Sequence, residues 1–380
     1  MSKKVSLVLL TLVLCSVAAT AKPEPAAAAR GMLVGIYDPN QPLDSPDKAF
    51  ATLKNLRAQI IRIDLQWGAR VAKKRPLHPT DPADPAYDWE AYDQLVLNAK
   101  KNKIQVLFTI YGTPRWANGT KKGLNRAPRQ FLFLKQFAYA AAKRYSGTFK
   151  REDGTVLPAV RKWLAWNEPN NPIFLAPQWG RINKKRFIPV AAINYARMCA
   201  AVYSGVHSTN LRGEVVACGA TDPRGNNSPR SRRPSISPLA FLAALKRYGL
   251  RRFDVYAHHP YYSYPGETPS MRPKAKTVVT LGNIGELTKL LTRLYGNKKL
   301  WITEYGYQTR PPDRVFGVSW RKQAKYLTQA YAIARKNPRI TMMLWFLLRD
   351  EGRLSGWQSG LFTASGTRKP AYYAFRALPH

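Results

Sequence analysis

Trp163-Leu164-Ala165-Trp166-Asn167-Glu168-Pro169-Asn170 is a short apolar run that ends abruptly in an amide, a carboxylate and a proline. The residues up to Trp166 suit a buried strand. Asn-Glu-Pro-Asn cannot extend it, because proline lacks an N–H and restricts the residue before it. Glu168 is thereby held at a strand end, where a sheet meets a ligand. A second stretch, Lys299-Leu300-Trp301-Ile302-Thr303-Glu304-Tyr305-Gly306, has the same shape. It too delivers a carboxylate to its C-terminal tip, ahead of a glycine that can turn the chain. Two strands that each end in a glutamate point to a site built on two carboxylates.

Working outward, apolar runs at 32–37, 59–65 and 104–110 read as earlier strands, with helical patterns at 46–56, 87–101 and 130–144. Beyond the first stretch, helix 187–208 leads to strand 214–219, helix 239–248, strand 254–259 and helix 281–295. Strand 300–304, helix 323–336, strand 341–348 and a closing helix 371–378 complete the run. Alternation of this kind implies a parallel sheet. Eight units in one run, without a linker, imply that it closes, so the expected class is α/β, a single (β/α)8 TIM barrel over 31–380. A doubly wound open sheet is the runner-up, but no glycine-rich phosphate loop follows the first strand. The chain has 380 residues and 45% hydrophobic content, enough for one large core.

The N-terminus carries Lys3 and Lys4, an apolar run from Val5 to Leu14, and small residues ending Ala19-Thr20-Ala21. That is the grammar of a secretory signal peptide over 1–21, with cleavage after Ala21. The run is too short for a transmembrane anchor, which needs about 20 apolar residues. Residues 22–30 read as a flexible leader, and no other segment could span a membrane. The expected address is extracellular. Of the cysteines, Cys199 falls in a helical pattern and Cys218 in a strand. One disulfide and two buried free thiols are both compatible with that placement. No Cys/His spacing suits a structural zinc site.

The formal net charge is +39. Such a surface attracts polyanions, but the basic residues are spread along the whole chain. No zinc finger, RNA-binding signature or helix-turn-helix pattern accompanies them, so a specific nucleic-acid function is not expected. Beside an export signal, an acidic glycan or cell-wall polymer is the more natural partner, and a charge serving solubility alone is the plainer alternative.

In such barrels the reactive groups sit at the C-terminal ends of the strands. Strand two carries Arg62 and Asp64 on one face and ends near Trp67. Strand three ends at Tyr111 and Trp116, strand four at Asn167 and Glu168, and strand six at His258-His259-Pro260-Tyr261. Strand seven ends at Glu304 and strand eight carries Trp345. Aromatic rings beside carboxylates suit a sugar, whose C–H faces stack on rings while polar groups hold its hydroxyls. Each residue also has a plainer reading. Arg62 could pair only with Asp64, Trp67, Tyr111 and Trp116 could be packing aromatics, and one of His258 and His259 must face away. Asp38 and Asp222 are loop carboxylates without an assignable role.

The motif Trp166-Asn167-Glu168-Pro169-Asn170, followed by Thr303-Glu304-Tyr305-Gly306, resembles the retaining glycoside hydrolases of the large (β/α)8 clan. Its Asn-Glu-Pro-Asn form most resembles family 39, with family 5 as a neighbour. The resemblance implies an enzyme that cleaves β-glycosidic bonds in a carbohydrate substrate, without a metal or organic cofactor. It implies Glu168 as general acid/base, Glu304 as nucleophile and Asn167 as partner of the sugar 2-hydroxyl. It further implies Arg62 and Tyr261 as contacts of the nucleophile, His259 as an orienting histidine and Trp345 as the ring beneath the first sugar. Trp116 is a second candidate platform. In a retaining mechanism one carboxyl is protonated and the other ionised, and the negative Glu304 is expected to raise the proton affinity of Glu168. A glycan-binding or polyanion-binding barrel without catalysis is the alternative. The loop at 221–238, with Arg224, Arg230, Arg232 and Arg233, reads either as a solvated basic loop or as a grip on an acidic glycan.

Overall fold

A computed structural model describes residues 31–119, 123–183 and 186–380. The signal segment at 1–21 and the leader at 22–30 lie outside the described residues. The barrel strands are β1 (Leu33–Tyr37), β2 (Ile60–Gln66), β3 (Gln105–Tyr111), β4 (Lys162–Ala165), β5 (Val215–Thr221), β6 (Val255–His258), β7 (Lys299–Tyr305) and β8 (Ile340–Phe346). The helices of the surrounding ring are α1 (Pro46–Asn55), α2 (Glu90–Lys101), α3 (Phe131–Arg144), α4 (Val190–His207), α5 (Pro238–Arg247), α6 (Ile284–Tyr295), α7 (Trp320–Lys336) and α8 (Pro370–Arg376). Each strand pairs in parallel with the next and β8 pairs with β1, so the expected barrel is closed.

Period-two alternation sorts the apolar residues into two cores. Ile60, Leu107, Leu164, Ala217, Val255, Trp301, Met342 and Leu344 point along the barrel axis and fill its interior. Ile61, Ile63, Phe108, Trp163, Ile302, Met343 and Trp345 point outward and meet the helices. The interior is packed with side chains, as a barrel of this size requires. Arg62 belongs by alternation to the inward set and is fully buried among it.

Local chemistry ends the elements where the sequence suggested, with small differences. The helix read at 187–208 begins at Val190, because Phe187–Ile188 pair with Gly180–Arg181 as a small antiparallel ribbon ahead of Pro189. Trp67, at the tip of β2, starts a single wide helical turn and stacks on Phe137 at 5.5 Å, so it is a packing residue. Cys199 of α4 and Cys218 of β5 form a disulfide, which decides between the two readings of this pair. No helix among the described residues is long and apolar enough to cross a membrane.

Candidate active site

Two irregularities in the ladder aim the acidic side chains. Between β7 and β8 the register runs Ile302↔Met343 and then Tyr305↔Trp345, three steps against two. The extra residue is a bulge, which re-aims side chains. Ile302 and Tyr305 both pack outward, while Thr303 and Glu304 meet Arg62 inside the barrel mouth. Between β5 and β6 the register shifts at Ala220, whose φ is 47°. The Ala220 carbonyl accepts the Glu168 N–H at 2.9 Å. Trp166 and Glu168 themselves have φ of 69° and 37°, and Leu347, just past β8, has 139°. Left-handed backbone at non-glycine residues costs ~1–3 kcal/mol each and persists where surrounding structure enforces it. These four residues stand at the tips of β4, β5 and β8, around one mouth.

Within that mouth an oxygen of Glu168, an oxygen of Glu304 and a ring nitrogen of His259 all lie within 4.8 Å of one another. Arg62 ties the cluster together. Its Nη1 donates to Glu304 Oε1 at 2.8 Å and to the Thr303 carbonyl at 3.1 Å, and its Nη2 donates to Asn167 Oδ1 at 2.6 Å. Its Nε donates to Thr109 Oγ1 at 2.8 Å, and Asp64 Oδ1 stands 3.7 Å away. Arg62 thus does pair with Asp64, but as one contact of several, and its ring-facing side lies 3.9 Å over Tyr37. The Tyr261 hydroxyl donates to Glu304 Oε2 at 3.0 Å.

His259 is the histidine that faces the site. Its Nδ1 is 3.0 Å from Glu168 Oε1 and 3.6 Å from Glu304 Oε1, and its Nε2 is 2.9 Å from Thr303 Oγ1. His258 points the other way, to Thr221 Oγ1 and the Val279 carbonyl. Burial holds the His259 imidazole down at about 3, helped by Arg62 and opposed by Glu304, so the ring is neutral. Arg62 Nη1, which can only donate, lies 3.4 Å from Nε2. That contact favours the tautomer with the proton on Nδ1, facing the carboxylates.

The two glutamates sit in unequal fields. Burial raises Glu168 well above the usual carboxylate range, Asp222 raises it further, and Arg224, Arg62 and Asn171 oppose. Burial also raises Glu304, but His259, Arg62 and the Tyr261 hydroxyl pull it back, against a push from Glu168. Both carboxyls are raised, Glu168 the more, while the donors around Glu304 oppose its rise, the kind of inequality that general acid and nucleophile require. The expected repulsion between the two glutamates is present, as the push of Glu168 on Glu304, while burial is the larger cause of the rise on Glu168 and Asp222 adds to it. Asn171 links Glu168 and Asp222, donating to Asp222 Oδ2 at 2.9 Å and lying 3.4 Å from Glu168 Oε2.

Two of the expected platforms are misplaced. Trp345 is fully buried in the shell between strands and helices, its indole N–H donated to the Ser359 carbonyl at 2.9 Å. Its parity along β8 is outward, so Phe346 takes the inward place at the strand tip. Trp116 packs edge-on to Trp67 at 5.9 Å and donates to the Ala72 carbonyl. With Trp67 it borders a separate cleft of about 280 Å³, apart from the glutamates. The rings near the mouth are instead Tyr111, which packs on Trp166 and feels both Asp64 and Glu168, and Trp357. Trp357, half-buried on the loop after β8, packs at 5.3 Å on both Tyr261 and Phe346. Nothing in its Gly-Trp-Gln-Ser surroundings announces this, because a loop has no periodicity to read.

Two residues without an assigned role in the sequence fasten the rim. Asp38 is buried and caps the chain after β1, accepting from the N–H groups of Asn40 and Gln41, and also from Leu348 after β8. Asn170 is fully buried; its amide donates to the carbonyls of Asp222, Ile236 and Arg224 and accepts the Asp222 N–H. The arginine-bearing loop is further braced by Asn226, which bonds Ser231, Arg233, Ser228 and Ser235. As for a cation, Glu168, His259 and Glu304 offer donors close together. The Arg62 guanidinium already engages Glu304 and abuts His259, and its fixed charge opposes a metal there.

No protein-family model matches the sequence, and no curated protein matches it significantly. Solved structures do share the fold. A family 39 glycoside hydrolase from the gut symbiont Bacteroides cellulosilyticus superposes with a TM-score of 0.63 at 20% identity, covering 93% of this chain and 64% of that one. A glucosidase from Croceicoccus marinus gives 0.64 at 15% identity, covering 93% and 68%. A family 39 β-xylosidase from Caulobacter crescentus gives 0.57 at 18%, covering 93% and 72%. The chain thus spans somewhat under two thirds of the first of these. At such identities the likeness establishes the barrel, and the chemistry has to be argued from this chain's own residues.

Proposed function

We propose that the protein is an exported retaining glycoside hydrolase that cleaves β-glycosidic bonds by double displacement. The observation that carries this reading is the pair of buried carboxylates at the tips of β4 and β7, with oxygens within 4.8 Å and unequal proton affinities. Retaining enzymes hold their carboxyls about 5–5.5 Å apart, whereas inverting enzymes need about 6.5–9.5 Å to admit a water. The structural likeness to family 39 enzymes and glucosidases is in keeping with it.

In this reading Glu304 attacks the anomeric carbon while Glu168 gives its proton to the departing glycosidic oxygen. The bond to the leaving sugar breaks as the glycosyl–Glu304 ester forms. Glu168, now an anion, then takes a proton from a water that attacks the same carbon and frees Glu304. Arg62 and Tyr261 hold Glu304 ionised and aimed. Because Arg62 occupies Asn167 Oδ1, the Asn167 amide N–H₂ is left to donate to the sugar 2-hydroxyl. Trp357, with Phe346 and Tyr111, provides rings for the sugar face in place of Trp345 and Trp116.

The export reading has support in the disulfide between Cys199 and Cys218, since such bonds persist in oxidising compartments. The excess of basic residues favours an acidic glycan or cell-wall polymer as the material acted on. The test is turnover of aryl β-glycosides and polysaccharides by wild type and by Glu304→Ala with azide. Loss of hydrolysis, with azide restoring turnover and giving a glycosyl azide of inverted anomeric configuration, is the expected result. Binding of glycans with no turnover of any glycoside by wild type would favour the catalytically silent barrel instead.

A further inference from the structure

Asp222 joins the catalytic acid to the loop outside it. Glu168 Oε2 stands 3.4 Å from Asn171 Nδ2, Asn171 donates to Asp222 Oδ2 at 2.9 Å, and Asp222 Oδ1 is 3.7 Å from Arg224 Nε. Exposure rises along this line, from 9% for the Glu168 side chain to 47% for that of Arg224. The backbone of Arg224 is pinned, its N–H donating to Asp222 Oδ1 at 2.7 Å and its carbonyl accepting from Asn170. Its guanidinium is not used up. The Asp222 contact is beyond hydrogen-bond reach, and among the described residues no acceptor completes the fork. Its charge is felt by Glu168 on one side and by Tyr262 of the β6 loop on the other.

Whatever Glu168 protonates is the leaving oxygen, so an outward cation on the Glu168 side faces the sugar that leaves. The loops after β3, β4 and β5 border that side. Over 112–130, 166–189 and 222–237 they hold nine arginines and, besides Glu168, one carboxylate, Asp222. A planar guanidinium with free donors suits a carboxylate or a sulfate, which it can bind with two parallel bonds. The neighbouring arginines add a field that draws such a polymer in and weakens with salt.

We propose that Arg224 binds the acidic group, carboxylate or sulfate, of the leaving sugar, so that this protein selects acidic glycans through the leaving-group side of its cleft. This rests on the glycosidase reading and adds to it the class of substrate. It differs from a general attraction of polyanions in assigning selection to one residue at one side of the bond that breaks.

The experiment compares kcat/KM on oligosaccharide pairs that differ only at the leaving sugar: uronate against its methyl ester, and sulfated against desulfated. Wild type, Arg224→Gln and Arg224→Lys are measured on each pair. A ratio within one protein cancels any general loss of activity or of folded fraction. Wild type is expected to favour the acidic member of one pair by about tenfold or more, which also says whether carboxylate or sulfate is recognised. Arg224→Gln is expected to bring that ratio near one, with Arg224→Lys between, because lysine keeps the charge and loses the fork. A wild-type ratio near one on both pairs, or an undiminished preference in Arg224→Gln, overturns the assignment. So does cleavage confined to aryl glycosides. If no glycoside of any kind is turned over, it is the glycosidase reading that falls.

Discussion

The amide of Asn171 donates to Asp222 at 2.9 Å from a position 3.4 Å from Glu168, so two carboxylates that would repel are joined through one neutral donor. Asp222 is, after burial, the next cause of the raised proton affinity of Glu168.

Asp222→Asn is therefore expected to lower the Glu168 pKa, while its single amide oxygen can keep only one of the two bonds accepted from Asn171 and the Arg224 N–H. In the proposed mechanism the general acid works when protonated, so activity is present below that pKa and lost as pH rises through it. Removing the charge moves the alkaline limb of the kcat/KM profile to lower pH. A pH–rate profile with an unmoved alkaline limb would show that Asp222 does not tune the acid.

Tyr261→Phe removes the hydroxyl that steadies Glu304 as an anion at 3.0 Å but keeps the ring among Tyr305, Phe346 and Trp357. Loss of one such donor costs on the order of 10² in kcat. Because that hydrogen bond lowers the Glu304 pKa, its removal shifts the acid limb to higher pH. Thermal unfolding should be nearly unchanged, and a large drop in Tm would assign Tyr261 a structural task instead.

Arg62→Met is expected to destabilise the fold by about 3–5 kcal/mol, since it leaves Glu304 without its cation and the Asn167 carbonyl oxygen without its donor in a buried site. Urea denaturation measures this directly. Arg62→Lys should not rescue activity, because an ammonium cannot span Glu304, Asn167 and Thr109 at once. Full activity in Arg62→Lys would contradict that geometry.

Two tryptophans are expected to separate cleanly. Trp357→Ala, on the rim, should raise KM at least several-fold with little change in stability. Trp345→Ala opens a hole in the shell between strands and helices and should cost ~3–5 kcal/mol. The reverse pattern, with KM sensitive to Trp345 and indifferent to Trp357, would return the sugar platform to the strand itself.

The disulfide closes a loop with a sequence separation of 19 residues. On chain-entropy grounds, replacing Cys199 and Cys218 by alanine should cost ~3 kcal/mol. Denaturation of the double variant beside wild type checks it, and equal midpoints would mean that the packing of α4 on β5 suffices alone.

Much of the architecture is legible because it is periodic. Runs such as 104–110 and 341–348 announce strands, amphipathic stretches announce helices, and eight repeats of the pair leave a closed parallel barrel as the simplest arrangement. Glu168 and Glu304 are legible for a related reason: each stands at the end of an apolar strand run, shortly before a residue that stops or turns the chain, Pro169 in one case and Gly306 in the other. Strand tips are where a barrel keeps its reactive groups, so local pattern alone selects both carboxylates, and with them Arg62, Asn167 and the His-Pro-Tyr segment.

Facing and partnership required the tertiary structure. The inward turn of Glu304 depends on a bulge between β7 and β8, and Trp345 lost its expected place to a parity that only the pairing of β8 with β1 and β7 reveals. His259 rather than His258 and the disulfide rather than two thiols were both open in the sequence. Each is settled by distances between residues far apart in the chain. Secondary structure follows from neighbours along the sequence, whereas proton affinity and ring placement follow from neighbours in space, from burial and from which way a single extra residue turns a strand.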